Sequence, residues 1–309
     1  MTADLPKIVV ILGPTACGKS DLACQLARHF NFEIINADSL QIYKHLDIGT
    51  AKPDLETLNS VPHHLIDIIE PDEEFNAGIF RSRASEVIDS LQRRNKKILI
   101  VGGTYLYVRV LTEGLIAGVE PDISFRAGLK EDRARNGTEH IYNKLKNIDP
   151  ESAEHINKND YVRMERALEV YHLTGKKMSE LQKEHGFSEK QYNVFKIGID
   201  VERELLKKII EQRLSNMLDS GFISEIKNLR GMGYDRSLKP MQSIGYKEIN
   251  DYLDGLITLD TAKEKIIINT RRLAKRQMTW LGRDKEINWY KIPEDFSRIV
   301  SDINSFYNN

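Results

Sequence analysis

Cysteine is nearly missing from this chain, with two in 309 residues, Cys17 and Cys24. They form no disulfide framework and no metal-ligand spacing, which excludes small secreted scaffolds and suits a reducing cytosol. Long hydrophobic runs are missing too. No apolar stretch approaches the roughly 20 residues that cross a bilayer, so no membrane role is expected. The opening Met1-Thr2-Ala3-Asp4-Leu5-Pro6-Lys7 lacks a basic start and a small-residue cleavage site, so no secretory leader is expected and a cytoplasmic protein is. Net charge is only −1, so any polyanionic partner must be met by a local patch. What is present, 40% hydrophobic and 29% charged residues, is the make-up of a globular chain with a real core. Its length allows one large or two ordinary domains.

The most informative stretch is Ile8-Val9-Val10-Ile11-Leu12-Gly13-Pro14-Thr15-Ala16-Cys17-Gly18-Lys19-Ser20. Five apolar residues run into a glycine, and Gly-Lys-Ser follows four residues later. This spacing is that of a phosphate-binding P-loop between a buried strand and a helix. Gly13 and Gly18 let the backbone curl so that successive N–H groups face one anion. The helix beginning near Gly18 adds its positive end. Lys19 brings a full charge to the outer phosphate, and the Ser20 hydroxyl is a ligand for Mg²⁺.

Further apolar runs at 32–36 and 97–101 have strand length, and helical patterns such as Phe80 to Arg94 lie between runs. Alternating strand and helix predicts an α/β fold: a P-loop NTPase-like parallel sheet flanked by helices. Ligands of such sheets gather at the strands' carboxyl ends. The second run leads into Ala37-Asp38-Ser39-Leu40-Gln41, and the 97–101 run into Gly102-Gly103-Thr104. A carboxylate and a Gly-Gly-Thr turn are therefore expected beside the phosphate loop. Taken singly, Asp38 and Thr104 read equally well as helix N-caps; taken together at one sheet edge they predict a functional cluster.

From 119 to 196 the chain becomes polar, charged and helical in pattern, which predicts a helical insertion domain acting as a lid. Residues 1–118 and 197–309 then form the core. Glu204 to Arg230 reads as one long amphipathic helix ended by Gly231-Met232-Gly233. Leu238 to Glu248 reads as a polar loop. Between Ala262 and Lys291 stand nine Lys and Arg against three acids, with Trp280 and Trp289 nearby, a pattern that suits nucleic-acid contact. His63-His64 and Asp67 lack a third ligand at good spacing and do not predict a metal site.

A P-loop ordinarily marks an ATP-using triphosphatase or kinase, with a carboxylate after a later strand to hold Mg²⁺. The 97–101 run supplies no such acid. Asp38 is then either a stand-in for that carboxylate or a general base for an attacking group. A nucleoside or small-molecule kinase remains the alternative reading.

The stretches Gly13 to Ser20, Ile35 to Tyr43, Asp47 to Pro53, His63 to Asp67, Val101 to Thr104, Arg166 to Val170, Ile244 to Tyr246 and Leu273 to Leu281 resemble, in order, the tRNA dimethylallyltransferases, the bacterial tRNA isopentenyltransferase family. The resemblance runs from Ile8 to about Trp289. It implies transfer of a dimethylallyl group from dimethylallyl diphosphate to N6 of the adenine 3′ to the anticodon, in tRNAs reading codons that begin with U. Asp38 would be the catalytic base, with Thr104 near the same centre. Gly13, Pro14, Thr15, Ala16, Cys17, Gly18, Lys19 and Ser20 would hold the diphosphate, with Mg²⁺ as cofactor. Asp38, Ser39, Leu40 and Gln41 would meet the flipped base. Thr104, Arg126, Val162, Arg163, Met164, Glu165 and Arg166 would touch the tRNA anticodon stem-loop. So would Gln242, Ser243, Ile244, Gly245, Tyr246 and Lys247. So, too, would Lys275, Arg276, Gln277, Met278, Thr279, Trp280, Leu281 and Gly282. A monomer is expected. The chain departs from the family at Cys17 for Ser, Ser20 for Thr and Leu40 for Met, and Cys17 is expected to make the site sensitive to thiol reagents.

Overall fold

The apolar runs become strands of one sheet. The computed structural model describes residues 5–114, 120–185 and 190–308. In chain order it begins β1 (Lys7–Leu12), α1 (Lys19–Phe30), β2 (Phe32–Asn36), α2 (Leu55–Ser60), β3 (His63–His64), α3 (Ala77–Arg93), β4 (Lys97–Val101) and α4 (Tyr105–Glu113). Five helices follow: α5 (Ile123–Asn136), α6 (Thr138–Ile148), α7 (Pro150–His155), α8 (Tyr161–Thr174) and α9 (Met178–His185). The chain then returns with β5 (Asn193–Ile199), α10 (Arg203–Asp219), α11 (Phe222–Gly231), α12 (Tyr246–Leu253), α13 (Leu259–Leu281), β6 (Ile287–Tyr290) and α14 (Phe296–Asn308).

Two compact units result: Met1–Thr112 with Gln191–Asn309, and Glu113–Lys190. The second unit ends before the expected 196, because Asn193–Lys196 already pair with β1 as the start of β5. The expected start at Val119 lies outside the described residues.

In the first unit all six strands are parallel, in the order β3-β2-β4-β1-β5-β6. The central strands β1 and β4 are apolar on both faces because both faces are covered. Ile8, Val10, Ile98 and Ile100 pack on one side with α3 and α10 to α13, while Val9, Ile11, Leu99 and Val101 pack on the other with α1 and α14. After β1 the chain runs out to β2 and β3, and β5 and β6 later extend the other side. The carboxyl end of β1 therefore sits where the strand order reverses, the usual crevice of such sheets.

Two expectations need correction. The helix expected over 204–230 breaks at Gly221, whose φ of 100° ends α10 and starts α11 on a new axis. The 238–248 stretch is not simply loop: Pro240–Gln242 forms a 3₁₀ turn and Tyr246 opens α12 fully buried. The second unit has its own small core of Leu129, Ile141, Leu145, Met164 and Leu168.

Candidate active site

The phosphate loop has the expected form. Gly18 sits at φ 84° as the N-cap of α1, a left-handed conformation that suits glycine, and Lys19 is the first helical residue. Lys19 folds back so that Nζ donates to the Pro14 carbonyl at 2.6 Å. Cys17 is buried, and burial raises its thiol pKa more strongly than the Lys19 charge lowers it. Both effects count against the expected sensitivity to thiol reagents.

Opposite the loop, Asp38 forms a side-chain turn. Its Oδ1 accepts from the N–H groups of Leu40 at 2.9 Å and Gln41 at 3.4 Å, leaving Oδ2 on the Gly103 side. Thr104 Oγ1 accepts from Ser39 N–H at 3.1 Å, and Thr104 N–H donates to the Ala37 carbonyl. The Gly-Gly turn is forced by crowding: a Cβ on Gly102 would stand 2.1 Å from the Ala37 carbonyl oxygen. The 37–39 segment and the β4 turn are thus one interlocked piece.

Phosphate loop and acidic turn line one cavity of about 920 Å³. Thr15 to Asp21, Asp38 to Gln41, Gly102 and Gly103 contribute, and so do Gln242 to Gly245 of the 3₁₀ region. Apolar side chains of α10 and its neighbourhood, Ile209, Leu214, Met217 and Phe222, complete the wall. The separately predicted clusters therefore meet.

Two side chains, Arg213 and Glu225, escaped the sequence reading, and Gln277 has bonds that it did not foresee. Arg213 of α10 lines the cavity and donates to the Thr50 carbonyl at 3.3 Å. Burial depresses its basicity and the Asp38 charge opposes that effect. Gln277, expected to touch RNA, lines the cavity and bridges the cleft: its Oε1 accepts from Thr15 N–H at 2.8 Å and its Nε2 donates to the Gly103 carbonyl at 2.9 Å. Glu225 of α11 accepts from the N–H groups of Asp47, Ile48 and Gly49 and from the Tyr246 hydroxyl. That loop in turn offers the Thr50 and Ala51 carbonyls to the Gln41 amide. Neither Arg213 nor Glu225 sits in a recognisable pattern, and their only signal was a charge on an amphipathic helix.

The remaining candidates divide by exposure. Lys247, Lys275, Arg276, Thr279, Trp280 and Gly282 are exposed, and Arg283 stacks over Trp280. Tyr246 and Leu281 are buried in the core, so their side chains hold α12 and α13 and do not face a partner. Trp289 lies in β6 and packs against the core. In the second unit Val162 and Arg163 are exposed, whereas Met164 is core. Arg126 and Arg166 both grip Glu169, which is fully buried. Burial alone would raise the Glu169 pKa; the two arginines and the Asp122 N–H overcome it and hold it at about 2.

Among the described residues no three His, Cys, Asp or Glu side chains gather as a metal site. His63 is bound to the Val61 carbonyl and His64 to Glu33. A Mg²⁺ carried by a diphosphate needs only one or two protein oxygens, its other ligands being phosphate and water. The exposed Ser20 hydroxyl at the head of α1, beside the cavity, fits that demand.

The family profile described as IPP transferase matches residues 41–284. The tRNA dimethylallyltransferase 2 of Geotalea uraniireducens is 46% identical over 98% of both chains. The tRNA dimethylallyltransferase of Geobacter metallireducens is 46% identical over 97% of both. Among solved structures, the tRNA isopentenylpyrophosphate transferase of Bacillus halodurans superposes with a TM-score of 0.72 at 36% identity, covering 97% of this chain and 96% of that one. A eukaryotic dimethylallyltransferase acting on tRNA superposes with a TM-score of 0.85 at 30% identity, over 98% of this chain and 80% of that one. These relatives support the transferase reading over the kinase alternative. Identity near one half, sustained along almost the whole of both chains, makes this protein a member of the IPP transferase family, the tRNA dimethylallyltransferases.

Proposed function

We propose that the protein transfers a dimethylallyl group from dimethylallyl diphosphate to N6 of an adenine in tRNA, releasing diphosphate. The adenine is the one 3′ to the anticodon in tRNAs reading codons that begin with U. One observation carries the reading: phosphate loop and Asp38 line the same cavity, so an anchored diphosphate and an incoming amine share one space.

An adenine N6 is a weak nucleophile, because its lone pair is delocalised into the ring. Asp38, with one oxygen fixed by backbone and the other uncommitted to that turn, takes the N6 proton as the new carbon–nitrogen bond forms. Thr104 holds Ser39 and so holds the turn that aims Asp38. Charge gathers on the diphosphate as the allylic carbon–oxygen bond breaks. The loop N–H groups, Lys19 and Arg213 oppose that charge. Ser20 offers an oxygen to Mg²⁺, which when bound supplies further positive charge to the leaving group. The α10 wall of Leu214 and Met217 with Phe222 gives the prenyl chain a dry bed.

The base must leave its stack to reach this depth. Ser39 to Gln41 and Gln242 to Gly245 receive it, while exposed Lys275 and Arg276 of α13 hold the anticodon stem-loop. In the second unit, taken by itself, exposed Val162 and Arg163 are the tRNA contacts. We read the working enzyme as a cytoplasmic monomer.

Purified protein incubated with labelled dimethylallyl diphosphate, Mg²⁺ and unmodified tRNA should yield one dimethylallyladenosine per tRNA on nucleoside analysis. Phosphate transfer from ATP with no prenyl transfer would restore the kinase reading. Replacing Arg272, Lys275 and Arg276 together by Ala should weaken tRNA binding and reduce its log–log salt slope by about 2–3. An unchanged slope would take the grip away from α13.

A further inference from the structure

The facing sides of α10 and α13 enclose a second cavity, of about 410 Å³. Its apolar lining is Leu206, Ile210, Met278 and the exposed Ile268. Its rim carries five cations, Arg203, Lys207, Arg271, Arg272 and Lys275, and no acid lines it. Among the described residues none of these five makes an ion pair; Arg272 touches the Asn269 amide at 3.5 Å. The hollow adjoins the catalytic cleft without being part of it. Ile210 lines both, and Ala16 of the phosphate loop packs on the Leu206–Ile210–Ala274 cluster beside it.

Five unneutralised cations around a concave surface repel one another and attract an anion. Cations that only follow a nucleic-acid backbone need no apolar hollow between them. An apolar lining under a cationic rim matches a ligand with an anionic head and a short apolar tail. The size falls in the range of about 300–1,000 Å³ usual for small-molecule sites. Resting on the function proposed above, one compound of that description is already at hand. We propose that this cavity is a second binding site for a prenyl diphosphate, separate from the catalytic one. The diphosphate sits among Arg203, Lys207, Arg271 and Arg272, and the prenyl tail lies on Leu206, Ile210 and Ile268. Arg272 and Lys275 line the site and also belong to the tRNA grip, so occupancy competes with tRNA. Excess prenyl diphosphate then inhibits transfer, and added tRNA relieves the inhibition.

The test is calorimetric titration of the intact protein with dimethylallyl diphosphate and Mg²⁺, without tRNA. Wild type should show two sites. Lys19→Ala should lose the catalytic site and keep the second. The double variant Arg203→Ala/Lys207→Ala, on an outward face of α10, should lose the second and keep the first; its circular dichroism should match wild type. Inorganic diphosphate should bind the site kept by Lys19→Ala at least about tenfold more weakly than the prenyl compound, since it buries no tail. In turnover assays, inhibition by excess prenyl diphosphate should vanish in the double variant. A single site in wild type, or equal affinity for inorganic diphosphate, overturns the proposal. So does a loss of tRNA affinity in the double variant with both prenyl sites intact, which gives the rim to RNA. Binding to phosphatidylglycerol vesicles that the double variant abolishes overturns it too, giving the rim to a lipid surface. Failure of the transferase reading is separable: wild type would then form no prenylated nucleoside and Lys19→Ala would titrate like wild type.

Discussion

Asp38 does two jobs that a substitution can separate. Its Oδ1 closes a turn by accepting from Leu40 and Gln41 N–H groups, and its carboxylate is the base of the proposed reaction. Asp38→Asn keeps an oxygen for the turn. It should therefore fold and bind tRNA within about twofold of wild type while single-turnover transfer falls by roughly 10²–10⁴. Parallel loss of binding and transfer would remove the base role. Asp38 was legible because it ends an apolar run in a specific stretch. Arg213 and Glu225 were not, because pattern alone does not say which of several polar side chains on a long helix turns inward. Cys17 is the converse case: its place in the loop suggested reactivity, and its packing counts against it. A thiol whose folded pKa lies above its ordinary value is protonated at neutral pH. Inactivation by iodoacetamide at pH 7.5 should be at least about tenfold slower than alkylation of a free thiol, and should accelerate only as the pH rises beyond 9. Rapid inactivation at pH 7.5, abolished by Cys17→Ser, would contradict the buried placement.

At the level of elements, the turn at Gly221 matters most. A straight helix over 204–230 would place Glu225 on the α10 axis; the break lets α11 carry it under the 47–49 loop. Apolar spacing continues through Gly221, which is why the sequence read as one helix. The short strands β3 and β6 were missed for a related reason, since two and four residues are too few to show a period. Long apolar runs such as β1 and β4 were unmistakable. Glu225→Gln replaces one acceptor oxygen with a donor facing backbone N–H groups, leaving at least one of them unpaired. Urea unfolding should show a loss of about 1–3 kcal/mol. Because the same loop holds Gln41 and adjoins Arg213, kcat should fall more than KM rises. Unchanged kinetics in the folded variant would confine Glu225 to stability.

Across the whole molecule, two units with separate cores should be separately perturbable. Glu169 is the buried centre of the second unit, held by Arg126, Arg166 and the Asp122 N–H. Glu169→Gln removes the charge that Arg126 and Arg166 share while both guanidinium groups stay partly solvated, and should destabilise that unit by about 1–3 kcal/mol. Both tryptophans, Trp280 and Trp289, lie in the first unit and will not report it; hydrogen exchange in α5 and α8 will. The carboxylate pKa is lowered by folding, so its contribution is complete above the unfolded value of about 4.3. It fades as the pH falls toward about 2. Exchange protection in α5 and α8 that is unaltered at pH 3 in wild type and unaltered in the variant would contradict this.

The sheet is assembled from two stretches of chain that are far apart in order of synthesis. β1 is flanked by β4 on one side and by β5 on the other, and β5 emerges only after the entire helical unit has been made. Until then a strand that is apolar beyond its first residue stands as an open edge, the kind of surface that recruits other chains. The newborn protein therefore passes through a stage at which a half-built sheet waits on the ribosome. Slowing translation within the 113–190 stretch should lengthen that exposure and lower the yield of native enzyme without altering a single residue of the finished fold.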